Sequence, residues 1–511
     1  MAGRGPLSCL SVLLGALLSV LLLRTATFPG PPEPRGWRPA GDPNIPARLG
    51  GDQRARMETL LREALRIPTV SFGPDQLNTT ALKEFSQFIR KAFPTLFSTS
   101  FIQYEVVGEY SHLFTVRGSD PRLQPYMLLA HLDVVPASDE GWDVPPFSGL
   151  ERDGFIHGRG ALDNKNSVMG ILQALELLLE QNYVPRRSFY VSLGHDEEVS
   201  GKRGAVQISS LLQSRGVTLA FIVDEGSFIL DGFIPNLQGP IAQIAVSEKG
   251  AMNLELRVDA PPGHSSAPPK ESSIGILAGA LSRLEQTPMP NLFGNSLVEN
   301  MFEQLATQFG FPLNIVMTNL WLFKPILSRV LEWNPITNAL VRTTIALTMF
   351  NAGVKVNVIP PTAQAWVNLR IHPSQNVHQV LESIQNTVAD ERVQIHVHNA
   401  FDPLPISPYD DQAFGYQLLR KTIRDVFPEV ISIIPGICIG NTDSRHYANL
   451  TTGIYRFNPA IIKPQDFRSI HGFNERISIQ QYEKQVTFLF ELIQNADVER
   501  PPPPHSSLHE L

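Results

Sequence analysis

Three apolar segments in the first half of the chain run straight into acids or a histidine: YMLLAHLDVV (126–135), FYVSLGHDEE (189–198) and LAFIVDEG (219–226). Each is long enough for a buried strand and too short for a helix, and between the first two lies NSVMGILQALELLLE (166–180), which has the length and apolar content of a packed helix. Strands alternating with helices predict a mostly parallel sheet covered on both faces. In such sheets ligands bind beyond the carboxyl ends of the strands, where this chain places its charged residues. His131 and Asp133 follow the first strand, Glu197 and Glu198 the second and Asp224 the third, with Asp163 in GRGALDNKNS. Carboxylates packed together repel unless cations neutralise them. One histidine with several acids suits zinc or a similar divalent ion, with ligands enough for two ions sharing a carboxylate.

From residue 246 the pattern changes. AMNLELRVDA alternates with period two, SSIGILAGALSRLEQ is helical, VKVNVIP and AQAWVNLRIHP read as strands, NVHQVLESIQNTVA is helical and VQIHVHNAF is a last strand. This βαββαβ order predicts a ferredoxin-like α+β lid over 246–401, inserted between catalytic segments 50–245 and 402–498. The lid carries an apolar insertion, 289–340, with no charge from Phe309 to Phe323. Surface of that kind must be covered, either by packing within the domain or at a dimer interface or because Phe311, Leu313, Ile315, Met317, Leu320, Trp321 and Phe323 line an acyl groove or dock on lipid particles.

The termini bound the compartment. Residues 1–25 hold one early charge, Arg4, and an apolar run, the pattern of a secretory signal peptide; an uncleaved signal anchor is the alternative. A Pro/Gly-rich linker, 26–49, follows, and a Pro-rich tail, 499–511, expected to be disordered, closes the chain. Sequons at Asn78 and Asn449 fit secretion and glycosylation. The only cysteines are Cys9, within the signal, and Cys438, so the mature chain forms no internal disulfide. With 42 basic against 49 acidic residues and no basic run, no nucleic-acid partner is expected.

Taken alone, each motif has an ordinary reading: a surface turn at HLD, helix-dipole complementation at DEE, a cap region at His264. Taken in order, HLDVVP, GRGALDNK, DEEVSGKRGA, DEG, GHSS and IHGFNE resemble the dinuclear zinc amidohydrolases that include aminoacylase, carboxypeptidase S and succinyl-diaminopimelate desuccinylase, over about residues 50–498. The carboxypeptidase S branch is the most similar. The resemblance implies two zinc ions, one held by His131, Asp163 and Asp224 and the other by Asp163, Glu198 and His471. It makes Asp133 the acid that orients His131, Glu197 the general base and His264 a donor to the oxyanion, often across a dimer interface, which leaves room for a homodimer. Arg370 and Arg445, assisted by Asn357, would grip a substrate carboxylate. Where many relatives read Gly-Gly-Thr-Asp, this chain has Gly440-Asn441-Thr442-Asp443. The implied activity is hydrolysis, and in reverse formation, of the amide of N-fatty-acyl amino acids, with fatty acids and amino acids as the other small-molecule partners. A carboxypeptidase or dipeptidase using the same metals is the alternative. A non-catalytic lipid or amino-acid carrier is disfavoured by the full set of ligands and Glu197.

Overall fold

A computed structural model describes residues 6–30, 49–295 and 297–497. Most of the linker and the Pro-rich tail lie outside them. The catalytic part is built on a ten-stranded sheet in the order Ile461–Ile462, Ile229–Leu230, Ile241–Glu248, Ile454–Arg456, Ile222–Asp224, Tyr126–His131, Phe189–Gly194, Ser111–Val116, Ile102–Val107, with Ser432–Cys438 also paired to Ile241–Glu248. Tyr126–His131 is parallel to both its neighbours, while the Ile102–Val107 edge is antiparallel. The central strand explains the apolar runs, because both its faces are covered. Tyr126, Leu128 and Ala130 join one core with the helices Lys165–Glu180 and Ile479–Asn495, while Met127 and Leu129 join another with the helix Ala205–Ser214.

The chain crosses into the lid at Lys249 and returns after Phe401. These crossings touch: a Cβ on Gly250 would lie 2.6 Å from the Phe401 carbonyl oxygen and 2.7 Å from Pro403 N, so only glycine fits. The lid is an antiparallel sheet ordered Thr344–Ala352, Thr362–Ile371, Gly250–Asp259, Gln394–Phe401. Its core includes residues of the helices Ser273–Gln286 and Val377–Val388. In chain order the strands run 2-3-1-4 across the sheet, the ferredoxin-like arrangement.

Two expectations are corrected. The lid's second strand is TIALTMFNA (344–352), not VKVNVIP; the latter forms a ribbon in which Val358–Ile359 pairs with Gly263–His264. The insertion, expected as part of the lid, packs elsewhere. Phe302, Leu305, Phe309, Met317 and Leu320 are buried in the catalytic core cluster, and the helix Leu297–Leu305 contacts the strand Ser432–Cys438. Phe311 and Trp321 instead face outward, 82% and 56% exposed.

The N-terminal helix Pro6–Thr27 is long and apolar enough over Leu10–Thr27 to cross a membrane, and is compatible with a signal peptide. Its carboxyl end rests on the insertion, where Arg24 Nε donates to Thr318 O at 2.8 Å and Asn319 Nδ2 to Leu21 O at 3.2 Å. Of the two sequons, Asn449 is exposed. Asn78 caps the helix Thr79–Ala92 by accepting from Ala81 N at 3.2 Å, and its Nδ2 donates to Pro68 O at 2.9 Å.

Candidate active site

At the carboxyl end of the central strand, His131 Nδ1 lies 2.9 Å from the main-chain oxygen of Asp133. With the Nδ1 proton on that bond, Nε2 offers its lone pair to the crevice. Nε2 is 3.0 Å from Asp163 Oδ1 and 3.0 Å from Glu225 Oε1. The other oxygen of Asp163 is 3.0 Å from His471 Nε2, which lies 3.1 Å from Glu198 Oε2. Glu197, His131 and Glu225 form a second close group of potential ligand atoms.

Asp133 does more than orient a histidine. Its carboxylate, 3.5 Å from His131 Nδ1, accepts from Glu197 N at 3.1 Å, Glu198 N at 3.2 Å and Ser71 Oγ at 2.7 Å. The three consecutive acids thus divide their tasks. Asp196 accepts from Arg203 N and Gly204 N, each at 2.8 Å, ahead of the helix Ala205–Ser214, while Glu197 and Glu198 project into the crevice.

Asp224 does not join the cluster. It ends its strand on the Ile222 side, and its carboxylate accepts from Glu225 N and Ser444 N, each at 2.9 Å. Its neighbour Glu225 is the acid that reaches His131, and Gly226 at φ +109° turns the chain directly after it. A Cβ there would come within 2.9 Å of Cys438 Sγ, so this buried thiol is packing. Sequence reasoning also missed Glu475, although IHGFNE contains it. It is fully buried, accepts from Leu162 N at 2.7 Å and Asp163 N at 3.1 Å, and pairs with Arg159 at 2.7 Å, so it holds the turn that presents Asp163.

The electrostatics fit divalent cations. Burial, reinforced by the charge of Asp163, pushes the Glu225 carboxyl up to about 7 and raises Glu198. Burial also drives Glu197 far above the usual carboxylate range, with Asp443, Glu198 and Glu225 adding to the effect. Burial opposes ionisation of Asp163 too, yet hydrogen bonds from His131 and His471 hold it below the ordinary range. Hydrogen bonds to Asp163 and Glu198 raise His471 to about 10. Acids in such a site stay ionised together only beside positive charge, and the donor set of His131, Asp163, Glu198, Glu225 and His471 suits metal.

The cluster opens into a cleft of about 590 Å³ between the catalytic part and the open face of the lid sheet. Arg370 and Arg445 both line it. Arg370 donates to Asn441 Oδ1, while Asn441 Nδ2 donates to Lys249 O at 2.6 Å, which gives the departure from Gly-Gly-Thr-Asp a role in fixing this arginine. Arg445 Nη2 donates to Ser200 O at 3.1 Å. Among the described residues neither guanidinium meets a carboxylate, and burial together with Arg445 lowers the pKa of Arg370. Two guanidinium groups without a direct carboxylate partner, side by side in one cleft, suit a bound anion. His264 and Asn357 are not part of this lining. Both are exposed on the lid ribbon, where Asn357 O accepts from Ser265 N at 3.4 Å.

The chain is similar to known proteins over nearly its whole length. Over 98% of this chain and 99% of the relative, the sequence is 65% identical to the N-fatty-acyl-amino acid synthase/hydrolase PM20D1 of Mus musculus. Over the same shares it is 63% identical to the Homo sapiens protein of that name. Among solved structures, the M20 family metallo-carboxypeptidase Sso-CP2 from Sulfolobus solfataricus superposes with a TM-score of 0.64 at 18% identity, covering 86% of this chain and 99% of that one. Residues 127–495 match the model of peptidase family M20/M25/M40, and the chain belongs to that family.

Proposed function

We propose that this chain is a metal-dependent amidohydrolase that cleaves, and in reverse forms, the amide bond of N-fatty-acyl amino acids. The observation that carries the reading is the placement of a histidine–carboxylate centre and two arginines without direct carboxylate partners in one cleft. The first suits attack on an amide, the second suits the carboxylate of an amino acid. The names of the relatives at 65% and 63% identity support the acyl class.

Two zinc ions are the cofactors proposed, one held by His131, Asp163 and Glu225 and one by Asp163, Glu198 and His471. When bound, they supply polarisation of the scissile carbonyl and a water of lowered pKa. The remaining work belongs to side chains. Glu197 accepts the proton of the attacking water at its carboxylate and passes it to the leaving amine nitrogen. Asp133 holds Glu197 in place through its main-chain N–H. Arg370 and Arg445 anchor the carboxylate, and in the reverse direction they place the free amino group beside the fatty acid.

His264 and Asn357 reach a site by way of a homodimer in which the ribbon of one protomer enters the cleft of its partner. Val354 and Val356, fully exposed on that ribbon, fit an interface. His264 then donates to the oxyanion of the tetrahedral intermediate. Secretion by way of the N-terminal helix, with glycosylation at the sequons, completes the proposal. The exposed apolar residues of the insertion supply contact with lipid particles.

The test is a substrate panel on purified protein with metal analysis. Long-chain N-acyl amino acids should be hydrolysed with two equivalents of zinc bound, and condensation should appear with concentrated fatty acid and amino acid. Turnover of dipeptides but not of acyl amino acids would replace this reading with a dipeptidase.

A further inference from the structure

The two walls of the cleft differ in chemistry. On the open face of the lid sheet, register places Asn253 opposite Asn368 on one side and Asn399 on the other, one rung from Arg370. Asn368 Nδ2 donates to Asn253 Oδ1 at 2.7 Å, and all three amides line the cleft. An alkyl chain laid on this row would take amides out of water without offering hydrogen bonds in return. An amino-acid moiety, already held beside it by Arg370, would not.

The lid's apolar lining is limited to Ala251 and to Phe401, whose ring lies 5.1 Å under Arg445, and the catalytic part supplies the longer apolar strip. Phe228 follows Glu225 by three residues, and Phe467 and Ile470 come from the turn of helix that ends just before His471; all three line the cleft. The strip continues outward. Phe467 meets Phe233 edge to face, with ring centroids 6.0 Å apart, and Phe233 borders a small hollow with Ile234 and Leu237. Leu237 in turn bridges to Phe309, where the insertion enters the core. None of the insertion's described residues lines the cleft.

We infer that the substrate's acyl chain lies along the strip from Phe228 through Phe467 to Phe233, while the lid's row of Asn253, Asn368 and Asn399 receives the amino-acid part. The assignment rests on the N-acyl amino acid reading and specifies where each half of that substrate sits. It makes chain-length selectivity a property of the catalytic part, with contacts added in order as the chain lengthens.

The test is kcat/KM for acetyl, octanoyl and octadecanoyl derivatives of one amino acid. Each methylene removed from water favours the longer chain, so Phe467→Ser should lower the octanoyl-to-acetyl and octadecanoyl-to-acetyl ratios by about tenfold or more. Phe233→Ser, farther along and only partly buried, should lower the octadecanoyl-to-octanoyl ratio and spare the octanoyl-to-acetyl one. Trp321→Ser, in the insertion, should leave all the ratios at the wild-type value. Wild-type ratios in both phenylalanine variants would overturn the assignment, as would a loss confined to Trp321→Ser. A wild-type enzyme inactive on all three substrates would instead overturn the N-acyl amino acid reading beneath it. If Phe467→Ser fails to fold, Phe233→Ser decides the matter alone.

Discussion

His131 and His471 face opposite oxygens of one carboxylate: Nε2 of the first is 3.0 Å from Asp163 Oδ1, and Nε2 of the second is 3.0 Å from Asp163 Oδ2. A residue so placed would serve both of the proposed cation positions at once. Asp163→Ala should therefore lose both metal equivalents and all measurable turnover, whereas His471→Ala should keep more metal than Asp163→Ala. Elemental analysis of the purified variants decides this, and two full equivalents in Asp163→Ala would refute the bridging role.

Asp224 and Glu225 are adjacent acids with different tasks. Glu225→Gln should weaken metal binding and lower turnover by roughly two orders of magnitude or more while the fold persists. Asp224→Ala removes the acceptor of two main-chain N–H groups and should cost about 1–3 kcal/mol of stability with metal retained. Thermal unfolding and metal content of the pair separate these outcomes, and an exchange of the two phenotypes would restore Asp224 as the ligand.

This pair also shows where sequence reading ends. His131 and Glu198 could be singled out because strand ends converge in an α/β sheet, Asp163 because it leads into the helix packed on that sheet, and His471 only through the family resemblance of IHGFNE. In DEG either acid could turn inward, and the choice depends on Ser444, a residue 220 positions away whose N–H captures Asp224. Apolar content likewise marks the insertion as buried, but its place in the chain assigns it to the lid rather than to its actual partner. That partner is the catalytic core, reached through Phe302 and Leu305 against a sheet formed partly by residues beyond 430. Glu475 escaped notice because its work is done through main-chain N–H groups, which carry no signature in sequence.

Glu197 is held by its own N–H on Asp133, so replacing its carboxylate leaves the loop in place. Glu197→Gln should retain the metal complement and the wild-type unfolding temperature, with kcat reduced by about two to four orders of magnitude. Near-normal kcat would remove it from the role of base.

His112 gives the fold an acid-sensitive point away from the cleft. It is fully buried, with Tyr104 Oη 2.7 Å from Nδ1 and Ser86 Oγ 3.2 Å from Nε2. A neutral ring suits this site, accepting on one side and donating on the other. Burial, aided by Arg90 and His195, pushes its pKa from 6.5 down to about 3. Below pH 6.5 the unfolded chain therefore binds a proton that the folded chain refuses, so this contribution is complete above 6.5 and is lost as pH falls toward 3. The loss by pH 5 should be about 2 kcal/mol. His112→Gln should flatten the dependence of urea-unfolding free energy between pH 7 and 5, and an unchanged slope would assign the acid sensitivity to other groups.

Neighbouring residues of the insertion should part company on substitution. Leu320 is 2% exposed within the catalytic core, so Leu320→Ser should destabilise the protein by at least about 2 kcal/mol. Trp321 is 56% exposed, with its indole N–H donating to Asn319 Oδ1 at 3.2 Å. Replacing it with serine should change stability by no more than about 0.5 kcal/mol. The ring is instead one of three exposed aromatic side chains of the insertion, with Phe311 and Trp333, and aromatic side chains favour a lipid–water boundary. Trp321→Ser should then reduce co-flotation of the protein with lipid particles while leaving hydrolysis of soluble acyl amino acids at the wild-type rate. Undiminished flotation in the Trp321, Phe311 and Trp333 triple variant would remove the insertion from lipid contact and leave its buried half as a structural brace for the catalytic sheet.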